Sequence, residues 1–427
     1  MTTSGALTRV TRLESGLTIA THQMPWLETV SLGVWVACGA RHESLSEHGI
    51  SHLLEHMAFK GTARRTAREI VEEIEQVGGE LNAATSLEST AYYARVLKGD
   101  DGIAIDLLAD IVQHSTYDLV ELEREREVIL QEIAATRDSP DEIAYDMLHD
   151  AAFPGQPLGR PILGTPESVT GFTPDDLRRF LGQRYGADRM VLSAAGAVDH
   201  DALVRHAEAL FAELPRRSTG DEQAARYEGG RRASDKPFEQ AHVLFGFEGP
   251  SYRRDDFFTG QVFSGLLGGS MSSRLFQEVR EKRGLCYAIY STSWGLSDSG
   301  LLGIHAATGA EMVEELIDVT AGELKAVAQD GVTQEELARA KAQLKAGLMI
   351  GLESSSARAE QMARQLIAYG RLIGKEELLD RVEGVTGDAV RGFAAGLLSP
   401  GRPTVAVVGA GPRSVDYAAR AEAVLGG

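Results

Sequence analysis

The residues of this chain best suited to chemistry are His52, Glu55 and His56, in the run His52-Leu53-Leu54-Glu55-His56. On a helix they fall at i, i+3 and i+4, and so on one face. Two neutral imidazoles at that spacing can hold one zinc ion, and the carboxylate beside the second can reach water at the same point and act as a base. The order is the reverse of the commoner H-E-x-x-H arrangement. Five residues are also compatible with an ordinary helix that happens to carry two histidines. The rest of the chain must therefore supply a third ligand and a frame.

No further histidine lies at a suggestive spacing: His42, His114 and His149 are isolated. The charged segment Leu119 to Thr136 is more informative. Its helical period puts Leu122, Ile129 and Ile133 on one face, and Glu125 and Glu132 fall on that same face. Glu121, Glu123 and Glu127 are better placed for solvent. A carboxylate on an apolar stripe costs on the order of several kcal/mol unless it is paired or bound to a cation. Two of them, seven residues apart, need a partner, which a metal site or unseen arginines would supply.

The elements that must position these groups are a mixture of strands and helices. Thr29 to Val36 and Ala91 to Leu97 alternate as strands. Thr66 to Val77, Leu119 to Thr136 and Leu203 to Leu214 read as helices. In the second half, His242 to Gly246 reads as a strand, and Glu311 to Ala328 and Gln334 to Gly347 as helices. The halves echo each other. The strand ending at Gly196 reappears as the strand ending at Gly409, 213 positions on. The same offset carries Ser51-His52-Leu53-Leu54-Glu55-His56 onto Ser264-Gly265-Leu266-Leu267-Gly268-Gly269, with every candidate metal group replaced by glycine. A duplicated domain follows. The expected fold class is α+β, with two homologous α/β-sandwich domains at residues 1–214 and 237–427, joined by a polar linker at 215–236.

At 427 residues the chain is long enough for two cores. A formal charge of −19 excludes the basic footprint of a general nucleic-acid binder. No long uninterrupted apolar run suggests a membrane span. The first residues, MTTSGALTRVTRLESG, show no charged-then-apolar export pattern and lead directly into strand-like sequence. The two cysteines, Cys38 and Cys286, imply no disulfide framework. A reducing cytoplasm is the expected location.

His52-Leu-Leu-Glu-His-Met-Ala-Phe-Lys-Gly-Thr62 resembles the zinc-site segment of the pitrilysin and insulinase metallopeptidases, the inverzincins. It is closest to the catalytic subunit of the mitochondrial processing peptidase and its bacterial relatives. The likeness continues through Gly79-Glu-Leu-Asn-Ala-Ala-Thr-Ser86, Glu125-Arg-Glu-Val-Ile-Leu-Gln-Glu132, Pro157-Leu-Gly-Arg-Pro-Ile-Leu-Gly-Thr-Pro166 and Arg280-Glu-Lys-Arg-Gly-Leu-Cys-Tyr287. It implies one Zn2+ per chain held by His52, His56 and Glu132, the last 76 residues after the second histidine. Glu125 would support the site from behind, and Glu55 would be the general base toward water at the zinc. Asn82 and Ala83 would lie on an edge strand that takes peptide as an added strand. Arg280 and Tyr287 would act on the scissile carbonyl region. Lys345 stands 213 positions after Glu132, so the second half would lack this ligand too.

The resemblance thus implies a zinc metalloendopeptidase or oligopeptidase of the bacterial cytoplasm, acting on peptides or unfolded polypeptides. Because one chain carries both the zinc set and the Arg–Tyr pair, a homodimer enclosing a chamber is expected. In it the zinc of one subunit would face Arg280 and Tyr287 of the partner subunit. The alternative is a proteolytically inert structural or assembly subunit of the same family. Retention of every ligand together with the base favours the enzyme.

Overall fold

The computed structural model describes residues 7–220, 222–399 and 402–426. The amino-terminal residues 1–6, read above as lacking an export pattern, lie outside the described residues, as does Asp221 of the expected linker. In chain order the strands are β1 (Thr8–Arg12), β2 (Thr18–Gln23), β3 (Thr29–Val36), β4 (Glu80–Thr85), β5 (Thr90–Leu97), β6 (Met190–Gly196), β7 (Gly230–Glu248), β8 (Cys286–Gly295), β9 (Gly300–Thr308) and β10 (Thr404–Ala410). The first helices are α1 (Ile50–Ala58), α2 (Ala67–Gln76), α3 (Asp101–Gln113), α4 (Leu119–Thr136) and α5 (Pro140–Ala152). There follow α6 (Pro166–Gly171), α7 (Pro174–Arg184), α8 (His200–Leu210), α9 (Phe257–Gly268) and α10 (Val313–Asp330). The last are α11 (Gln334–Glu353), α12 (Ser355–Tyr369), α13 (Lys375–Glu383), α14 (Gly387–Leu398) and α15 (Ser414–Gly426). Among the described residues no helix is long and apolar enough to cross a membrane.

The chain forms two compact units. Unit 1 takes in the described residues through Ile133, together with Pro161–Gln223 and Met349–Leu372. Its sheet runs β1-β2-β6-β3-β5-β4, with only the β2–β6 pair parallel. Val30, Leu32, Val34 and Val36 of β3 enter a core built with α1, α2 and α3. On the opposite face Trp35 packs with Ala359, Met362 and Ala363 of α12. Burial on both faces is why β3 reads as a nearly continuous apolar run. The start of α2 is set by Thr66, which caps Glu69 N–H while the Glu69 carboxylate returns to the Thr66 amide.

Unit 2 comprises Ala134–Arg160, Ala224–Leu348 and the chain from Ile373 on. Its sheet is ordered β10-β7-β9-β8, but β7 runs along both sides of β10. Gly230 to Ala233 lie parallel to Thr404 to Val407, and Val243 to Gly246 run antiparallel to the same residues. Counting the limbs of β7 separately, the order is first limb, β10, second limb, β9, β8. That reproduces β2, β6, β3, β5, β4 step for step, in direction as well as in order. The two units are homologous. Gly196 and Gly409 close the same corner, at φ +119° and +96°, where a Cβ would come within 2.2 Å of the carbonyl oxygens of Thr29 and Gln240. Only glycine fits either position.

The units do not follow the contiguous halves at 1–214 and 237–427. Residues 134–160 fold with unit 2 and 349–372 with unit 1, so α5 and α12 are exchanged between the halves. Periodicity could show that each is a helix, but not which sheet it covers. The expected linker at 215–236 also ends inside β7, since Gly230 onward is strand. That limb lies at the sheet's edge, with Gly230 buried, Arg231 exposed and Arg232 to Ser234 half-buried, so no apolar alternation announces it.

Candidate metal centre

The helix α1 is positioned at its beginning. The buried Glu43 carboxylate accepts the N–H of Gly49 and of Ser51, each at 2.8 Å, placing negative charge at the positive end of the helix. Gly49 sits at φ +92°, and a Cβ there would be 2.8 Å from the Cα of Gly164. This close approach seats the 157–166 motif's last turn against the helix start. Ile50, Leu53, Leu54 and Met57 are buried, leaving His52, Glu55 and His56 half-buried on the other face.

Helix α4 lies across from that face. Leu122, Glu125, Ile129 and Ile133 are its buried residues, while Glu123 and Glu127 are exposed and Glu121 is half-buried beside Arg124. The Oε2 of Glu132 is 3.7 Å from the Nε2 of His52 and 3.7 Å from that of His56. One donor atom from each of the three lies within 4.8 Å of the others, and the two rings are 4.6 Å apart, edge to face. Glu125, one heptad earlier on the same stripe, turns to the back of the site. Its Oε2 is 3.0 Å from the Nδ1 of His56, and its Oε1 is 2.6 Å from Lys60 Nζ.

These residues fit a zinc ion. Two donors each about 2.0–2.1 Å from one tetrahedral ion lie roughly 3.4 Å apart, close to the separations seen. Glu125 fixes the ring of His56 so that Nε2 points at the common centre, the usual carboxylate–histidine support of a metal ligand. Burial, helped by His56, lowers the pKa of His52 to about 4, which keeps its imidazole in the neutral form that can bind a metal. Its Nδ1 is buried and has no hydrogen-bond partner. Glu43 and Lys60 were missed in the sequence. Lys60 stands one turn beyond His56 and could have been noticed as a cation near the stripe of Glu125, whereas the capping role of Glu43 depends on a loop.

Asn82 and Ala83 lie on β4, which closes one end of the sheet and, among the described residues, pairs only with β5. The β4–β5 hairpin closes with Ser86 N–H donating to the Ser89 carbonyl. Antiparallel alternation then turns the main-chain groups of Leu81, Ala83 and Thr85 outward, away from β5. Consistent with this, Ala83 N–H is taken up by the Oδ1 of Asn82 at 2.8 Å rather than by β5. The Thr85 hydroxyl donates to the Ser51 carbonyl of α1 at 3.5 Å, so the open edge runs beside the histidine helix.

Arg280 and Tyr287 belong to unit 2. Arg280 lies in the π-helical turn Phe276–Glu281, and its guanidinium is 5.2 Å from the centroid of the Tyr287 ring. Tyr287 is 79% exposed. At the counterpart of the metal centre, the end of α9 carries Gly268 with Gly269 just beyond, and Lys345 on α11 is paired with Glu383 at 2.8 Å. That position holds no ligand set.

Two family models match the chain: Insulinase (Peptidase family M16) over residues 18–166 and Peptidase M16 inactive domain over 171–344. A protein of Rickettsia bellii described as an uncharacterised zinc protease is 40% identical over 372 residues, 87% of this chain and 90% of that protein. The zinc protease YmxG of Bacillus subtilis, also described as uncharacterised, is 38% identical over 388 residues, 90% of this chain and 94% of that one. Among solved structures, a protease from Helicobacter pylori shares the fold with a TM-score of 0.86 at 21% identity, over 94% of this chain and 99% of that chain. A peptidase M16 inactive domain from Pseudomonas fluorescens does so with a TM-score of 0.87 at 20% identity, over 94% and 98%. With relatives this similar along nearly their whole length, the chain belongs to the insulinase family of peptidases, family M16.

Proposed function

We propose that the protein is a zinc-dependent metallopeptidase that hydrolyses peptides bound in extended form. The observation carrying this reading is the convergence of His52, His56 and Glu132 on one point, with Glu55 on the same helix face and an open strand edge alongside. When bound there, zinc supplies a Lewis acid that polarises a carbonyl and acidifies water. The chain's own residues do the rest. Glu55 takes the proton of the attacking water and returns it to the leaving amine. Glu125 holds His56 in register. The outward main chain at Leu81, Ala83 and Thr85 hydrogen-bonds a peptide as an added strand, which fixes the scissile bond while tolerating many side chains.

Arg280 and Tyr287 would donate to the oxyanion as it forms. In the homodimer proposed here, each site is completed by Arg280 and Tyr287 of the partner subunit, and the two copies enclose the substrate. The zinc-protease naming of the relatives supports the metal and the reaction class. The deciding experiment is Glu55→Gln. It should keep its zinc and lose turnover of a mixed peptide library by about 10²–10⁴-fold. Cleavage by that variant near the wild-type rate would sink the reading, as would wild-type cleavage that survives metal chelation.

A further inference from the structure

Arg280 is one of four basic residues in the segment 274–283, and the other three are held by carboxylates. Arg274 donates to both oxygens of Glu336, at 2.7 and 3.0 Å. Lys282 and Arg283 both turn to Glu278, Arg283 at 2.9 Å. The Arg280 guanidinium, among the described residues, donates no hydrogen bond, and the carboxylate it approaches, exposed Glu281, is 3.8 Å away. Glu278, with two cations on it, is not left to capture Arg280.

Aromatic rings take the place of a carboxylate. The Cζ of Arg280 lies over the Phe276 ring, 4.5 Å from its centroid, and over the Tyr287 ring at 5.2 Å. Attraction to a ring face holds the positive charge without tying up the N–H donors as a carboxylate would. The two rings are not equivalent. Tyr287 stands exposed on the edge strand β8, whereas Phe276 is half-buried. Its segment is fastened to the core by Leu275 and Val279, both fully buried. Phe276 is therefore the fixed ring, and Arg280 and Tyr287 are built outward from it.

The backbone is irregular under both members of the pair. Lys282 N–H donates to the Gln277 carbonyl at 3.0 Å, an i→i−5 bond that makes the turn around Arg280 π-helical. In β8 the register slips between Cys286 and Ala288, which leaves Tyr287 as the extra residue of a bulge. The homologous unit 1 has neither feature at this place: the element before its edge strand is the α-helix α2, and β4 pairs with β5 in unbroken register. Inserted residues of this kind re-aim side chains.

We propose that Phe276 is a positioning residue, whose ring holds the Arg280 guanidinium with its donors uncommitted, ready for the oxyanion. It rests on the peptidase reading above and adds a residue that acts through Arg280.

Phe276→Leu and Phe276→Met keep apolar bulk and remove the ring, and Phe276→Tyr keeps the ring. Loss of the ring should lower kcat/KM by about 3–30-fold, chiefly through kcat. Phe276→Tyr should stay within about twofold of wild type, and in an Arg280→Ala background Phe276→Leu should cost no more than about twofold further. A second readout needs no turnover: the rate at which phenylglyoxal modifies Arg280, followed by peptide mass spectrometry of the whole protein with Arg274 as internal control. That rate should rise several-fold in the ringless variants while Arg274 is unchanged. Wild-type kinetics in both ringless variants would overturn the positioning role, as would an equal loss with and without Arg280. Faster modification of Arg280 in the ringless variants of a protein whose wild type cleaves no peptide would uphold the role of Phe276 and overturn the peptidase reading instead.

Discussion

Replacing Glu125 with glutamine asks how much of the metal centre is built behind its ligands. Glu125 is 7% exposed, and its carboxylate is shared between His56 at 3.0 Å and Lys60 at 2.6 Å. Glutamine keeps the volume and can still accept a hydrogen bond from the His56 ring, but it carries no charge. The imidazole then loses the anion that makes Nε2 a stronger donor. Supports of this kind change metal affinity by about 10–100-fold, or about 1.4–2.7 kcal/mol. The amide should fall at the low end of that range, and Glu125→Ala, which also frees the ring to rotate, at the high end. The metal-free protein should lose stability as well. Removing one partner of a buried ion pair costs about 3–5 kcal/mol, but Lys60 is 31% exposed and can turn to water, so about 1–2 kcal/mol is expected here. Glu127→Gln, on the exposed face of the same helix, is the control. Zinc affinity is read by competition with a chromophoric chelator, and stability by urea unfolding of the metal-free protein. Equal zinc affinity in Glu125→Gln and Glu127→Gln would refute the supporting role.

Mixing Glu55→Gln with Tyr287→Phe tests whether sites are completed across a dimer. After random subunit exchange about half the dimers are hybrids with one intact site of two, so about a quarter of wild-type activity should return, and no recovery would place the pair in its own chain's site. His42 predicts an acid limb of stability. Burial first, then Arg189, Arg184 and Arg41, lowers its pKa from 6.5 to about 4, and Gly39 N–H donates to its Nδ1. The unfolded chain therefore binds the extra proton in that window, and stability should fall as pH drops from about 6.5 to about 4, by on the order of 2–3 kcal/mol. Urea midpoints of His42→Gln should show a flatter acid limb, and a slope identical to wild type would refute the assignment. Gly196→Ala forces a Cβ to within 2.2 Å of the Thr29 carbonyl at φ +119°, and thermal unfolding should show a loss of more than about 2 kcal/mol.

Several features were legible because they are local. The periods of β3, α2 and α4 appear in the sequence with nearly their final bounds, since alternation and helical spacing record which face is buried. The carboxylates on the apolar stripe of α4 announced that something polar lay opposite, and the glycines at Gly196 and Gly409 marked one corner used twice. The polar first limb of β7 was not legible, because an edge strand open to water carries no alternating signature.

Composition and spacing alone determined that two imidazoles share a helix face, that two glutamates share another, and that the chain is a duplication. Spacing could not tell the two glutamates apart; the family resemblance assigned them, and the tertiary structure gives the physical arrangement, in which Glu132 stands across from both rings and Glu125 sits behind His56 with Lys60 as its counter-ion. It also decided that α5 and α12 change places and that Glu43 caps α1. The physical reason is range. Periodicity along a chain reports whether a residue is buried, but the partner it meets is chosen through space, by elements that may be hundreds of residues away.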